Sequence, residues 1–164
     1  MLAGFKVENL VDDEILVSAT IQATRIAIGT HHREKREMLR NALLKVAVGR
    51  GPQEDLQESF LAAVEAFTCW HVRLLRFIWT GLADLNRAGI WNVLKPYAIG
   101  DYAAAVGALY PEMKGQDNFL LYLMTDLKNR GFSTVSRPSD GFPQSPGVTN
   151  IGIDFLGFIA SPPT

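Results

Sequence analysis

The sequence predicts a mainly helical protein, and three observations predict it. No proline interrupts the chain between Asp12 and Val48, where apolar residues return close to helical spacing at Ile15, Leu16, Ala19, Ala23, Ile26, Ala27, Leu39, Leu43 and Val46. Stop and start signals then recur at helix-sized intervals, at Gly49-Arg-Gly-Pro52, Thr68, Tyr110-Pro111 and Gly131. Hydrophobic residues make up 48% of the 164 positions, enough to fill a core, which argues against disorder of the whole chain.

Residues 1–49 read as an N-terminal helical segment for assembly or extension, containing one long helix or two in line. Gly29 and Thr30 mark the candidate break: Gly costs about 1 kcal/mol relative to Ala in a helix, and Thr can cap a new one. The first half is apolar and slightly acidic, whereas His31 to Arg40 is dominated by charge. If continuous, a helix of about 36 residues would extend about 54 Å, more than a domain of this size covers, so its apolar side would need a partner.

Residues 50–164 read as one compact helical domain. A helix from Pro52 to Ala66 carries the apolar stripe Leu56, Phe60, Leu61, Val64 and Phe67, with Glu54, Asp55 and Glu58 near its positive end. Thr68 is placed to cap a helix from Cys69 to Trp79, and Phe67 to staple onto Val72. Phe60, Val64, Leu74, Leu75 and Ile78 are the expected centre of the fold. From Thr80 to Lys95 the pattern weakens into a helical turn and irregular chain, and Asp101 to Leu109 is an alanine-built helix. The helix Asp117 to Arg130 presents Phe119, Leu120, Leu123, Met124 and Leu127, and ends at Gly131 with Phe132 set to contact Leu127 in a Schellman cap. An extended Phe132 to Ser136 follows, then a surface loop, Arg137 to Gly147, with three prolines. Thr149 to Ile159 fits both a strand and a helix behind a capping Thr, and helix is favoured.

The run Leu123 to Phe132, the loop, and Thr149-x-x-Gly152-x-x-Phe155-Leu156-x-Phe158-Ile159 together resemble the recognition helix, wing and closing helix of winged-helix proteins. That resemblance implies a winged-helix-like C-terminal half with a small β wing. A second, weaker resemblance is to prokaryotic abortive-infection proteins of the alpha type and related families, through Glu34 to Leu44 and Phe67-Thr68-x-x-His71-x-x-Leu74-Leu75. Neither resemblance supplies a catalytic residue.

Sixteen Lys and Arg against seventeen Asp and Glu give a net charge of −1, which creates no global attraction to nucleic acid or anionic lipid. A single cysteine, Cys69, allows no intrachain disulfide. Residues 1–10 do not read as a signal peptide and no stretch reads as a membrane span, so the expected location is cytoplasmic.

Two surfaces are candidates for contact with a partner or nucleic acid. One is the basic run from His31 to Arg50, where Arg33, Lys35, Arg36, Arg40, Lys45 and Arg50 outweigh Glu34 and Glu37 by a formal charge of +4. The other is the outward side of the Asp117 helix, with Asn118, Lys128 and Arg130, although Asp117 and Asp126 would repel phosphate. His31, His32 and Glu34 do not converge as metal ligands, because neighbours on a helix point about 100° apart. Cys69 and His71 read as structural residues, and no phosphate-binding loop or nucleophile elbow is present. The chain is therefore expected to be non-enzymatic, without cofactor or metal, and to act as a homodimer through protein contacts. DNA binding by the winged-helix-like half is the alternative.

Overall fold

The computed structural model describes residues 13–89, 92, 102–139 and 147–161. It is mainly helical, with seven α-helices among the described residues: α1 Glu14–Gly29, α2 Arg33–Ala47, α3 Glu54–Ala66, α4 Cys69–Arg87, α5 Tyr102–Leu109, α6 Asp117–Asn129 and α7 Asn150–Ile159. A 3₁₀ turn, Pro111–Met113, precedes α6. The chain divides into two compact units, one formed by residues up to Cys69 with those from Asp154 onward, the other by Trp70–Ile153. The first unit thus extends past residue 49, where sequence reasoning placed a boundary.

In the first unit, Asp13 caps α1 by accepting from the Ile15 and Leu16 amides, both at 3.1 Å. The N-terminal segment is not one rod. The chain leaves helical geometry at Thr30, whose φ of −120° and ψ of 134° are extended, and α2 starts only three residues later. Thr30 does not cap α2. Its hydroxyl accepts the His32 amide at 3.3 Å, while its carbonyl accepts from Arg36 Nε and a terminal nitrogen at 3.1 and 2.9 Å. These bonds hold the turn open, and α1 then packs on both α2 and α3. Folding back removes the 54 Å length that a straight helix would have had.

The buried stripe of α1 is Leu16, Ala19, Ala23 and Ile26, and that of α2 is Met38, Leu39, Ala42 and Val46. Phe155 meets Phe60 and Phe67 edge-on at 5.5 and 5.8 Å, and Phe158 lies 5.8 Å from Phe60. Burying each such ring stabilises by about 1.5–3 kcal/mol. The carbonyls at the end of α7 are met by α2, with Asn41 Nδ2 donating to Ile159 O at 3.1 Å and Lys45 Nζ donating to Gly157 O.

In the second unit, α4 continues to Arg87 instead of ending near Trp79. Gly81 weakens the local helix signal, but its missing Cβ is what leaves room for the Phe77 ring. One turn on, Thr80 Oγ1 lies 2.8 Å from Asp84 Oδ2, and Arg87 bonds Asp84 Oδ1 at 3.0 Å, supporting the extension. Residues 90, 91 and 93–101 lie outside the described residues, so the irregular chain expected there is described only to Gly89. Phe77 packs edge-on against Tyr102 of α5 at 6.2 Å, and Leu120, Leu123, Met124 and Leu127 of α6 are buried.

The end of α6 is the expected Schellman cap. Gly131 takes a φ of +80°, its amide donates to Lys128 O at 2.9 Å, and the Phe132 amide donates to Leu127 O at 2.9 Å. No strand is present among the described residues. Phe132 to Ser136 contributes one antiparallel bridge, Ser133 to Val148, and residues 140–146 of the loop lie outside the described residues. Thr149 Oγ1 accepts the Gly152 amide at 3.1 Å and donates to Gly131 O at 2.6 Å, so it caps α7 and ties that helix start to the end of α6. Gly152 is required here because a Cβ would collide with Phe132 O and the Val148 side chain. Among the described residues, no helix is long and apolar enough to cross a membrane.

Candidate interaction surface

The outward side of α1 is the least expected surface of the first unit. At about 100° per residue, Val17, Ile21, Thr24 and Ile28 fall on one line with spacings of four, three and four. Val17 is 40% exposed, Ile21 66% and Ile28 82%, while the buried stripe lies on the other side of the same helix. The only charged residues among the sixteen of α1 are Glu14 and Arg25. Arg25 is 3.3 Å from Glu65 Oε2, with both side chains more than half exposed, and an ion pair of this kind contributes at most about 1 kcal/mol. A solvated helix face normally carries charge, and one apolar on both sides is normally covered on both. Single exposed apolar residues are ordinary, but an aligned and uncharged row is not.

The basic run behaves differently. Arg33 Nε bonds Glu37 Oε1 at 2.9 Å, and Arg36 is spent on the Thr30 carbonyl. Lys35 Nζ donates to Glu65 O at 2.8 Å, and burial pushes its pKa down against the opposing pull of Cys69 and Glu65. Lys45, bonded to Gly157 O, is also lowered by burial. Arg40 and Arg50 are exposed. Of the six cations named there, Lys35, Arg36 and Lys45 therefore bond backbone carbonyls of their own unit, Arg33 pairs with Glu37 on the surface, and Arg33, Arg36, Arg40 and Arg50 are exposed.

On α6, Asn118 is exposed, Lys128 Nζ donates to Ser136 Oγ at 3.2 Å, and Arg130 Nε donates to both Asp126 oxygens at 3.0 Å. Asp126 Oδ2 lies 3.3 Å from Nε2 of the buried His71. Sequence reasoning weighed His71 with Cys69 and read Asp126 only as a charge repelling phosphate; the structure makes Asp126 the link between α4 and Arg130. No spacing rule could have found this, because His71 and Asp126 are 55 residues apart in the chain. Tyr122 lies edge-on to the His71 ring at 5.9 Å and stacks with Phe119. Beside α5, Ala103, Ala104, Gly107 and Ala108 line an open groove of about 460 Å³ with Lys114 and Asp117. Among the described residues no group of three or more His, Cys, Asp or Glu is arranged to hold a metal ion.

Comparison with protein-family models, with curated proteins and with solved structures finds no match to this chain.

Proposed function

We propose that this is a non-enzymatic helical protein that works through protein contacts as a homodimer, with the outward side of α1 as its assembly surface. The observation that carries the reading is the uncharged row Val17, Ile21, Thr24 and Ile28, left exposed by a helix whose other side is already buried. Full burial of an isoleucine side chain contributes about 1.5–3 kcal/mol, so covering this row in two copies supplies a useful driving force for association. The length of the helix, which sequence reasoning used, no longer supports the reading; the row of exposed side chains replaces it. The test is Ile21→Glu. It should leave helix content by circular dichroism unchanged and reduce the light-scattering mass from two chains to one. A wild-type mass of one chain at micromolar concentration overturns the reading.

The alternative is a winged-helix DNA-binding regulator. The order of α4, α5, α6 and α7 along the chain supports it, in that α6 would take the place of a recognition helix and the Ser133 to Val148 bridge that of the base of a wing. Against it, the outward side of α6 exposes Leu121 and Tyr122, and Arg130 is engaged by Asp126. Absence of salt-sensitive binding to mixed-sequence duplex DNA at low ionic strength removes this alternative.

A further inference from the structure

We draw no further inference here: the strongest candidate, the cleft between α1 and α3 lined by Ser18, Glu54, Gln57 and Glu58, carries nothing because it is a pair of acids near a helix start whose buried polar neighbour, Gln57, already donates from Nε2 to the Pro52 carbonyl at 2.6 Å, so nothing in the structure points to a ligand there.

Discussion

Helices α1 and α2 are nearly equal in length and pack in the same unit, yet α1 has two charged residues and α2 has seven. Each buries one stripe. On α2 the remaining surface is mostly charged, with Arg33 paired to Glu37 and Lys35, Arg36 and Lys45 bonded to carbonyls, beside exposed Arg40 and Leu44. On α1 Arg25 and Gln22 reach α3, but the side opposite the buried stripe is an exposed row of valine, isoleucine and threonine. The number of charges in a helix therefore says less than where they are engaged: three cations of the basic run bond carbonyls of their own unit, whereas the outward row of α1 carries no charge.

Substitutions on the inner and outer sides of α1 should behave differently. Ile26→Ala on the buried stripe of α1 and Leu39→Ala on that of α2 should each cost about 2–5 kcal/mol in urea unfolding, with the same loss at low and high protein concentration. Ile28→Ala on the outward row should cost about 2 kcal/mol per copy where copies pair. In samples dilute enough to dissociate, the same substitution should fall within about 0.5 kcal/mol of wild type. A concentration-independent loss at Ile28 would show that the outward row serves the unit alone.

Smaller effects sharpen the contrast. Asp13→Ala removes the acceptor for two amides at the start of α1 and should lower stability by about 1 kcal/mol, read as a drop in thermal midpoint. Glu37→Ala breaks the exposed pair with Arg33 on α2 and should cost no more than about 0.5 kcal/mol, with the difference fading in high salt. A large, salt-resistant loss at Glu37 would mean that the charged side of α2 is itself part of an interface.

Sequence reading reached those elements whose signals are local. Gly131 with Phe132 announced the end of α6, Thr149 announced the start of α7, and the alanine run gave α5. It stopped where the deciding partner lies far along the chain. The turn at Thr30 depends on Arg36 reaching back to a carbonyl, α4 passes through Gly81 because Phe77 occupies the space a Cβ would fill, and His71 is paired by an acid from α6. The candidate surface was hidden for another reason: with apolar residues on both sides of α1, the periodic contrast that separates inside from outside is weak. The row of Val17, Ile21, Thr24 and Ile28 became visible only once burial assigned Leu16, Ala19, Ala23 and Ile26 to the interior.

Whether a second copy covers the outward side of α1 in solution is decided by sedimentation equilibrium of the unmodified 164-residue chain across the micromolar range. The expected result is a mass of two chains that falls toward one on dilution, and a mass of one chain throughout for Ile21→Glu. A single-chain mass for the unmodified protein at every concentration, or a two-chain mass that Ile21→Glu leaves intact, overturns the proposed dimer.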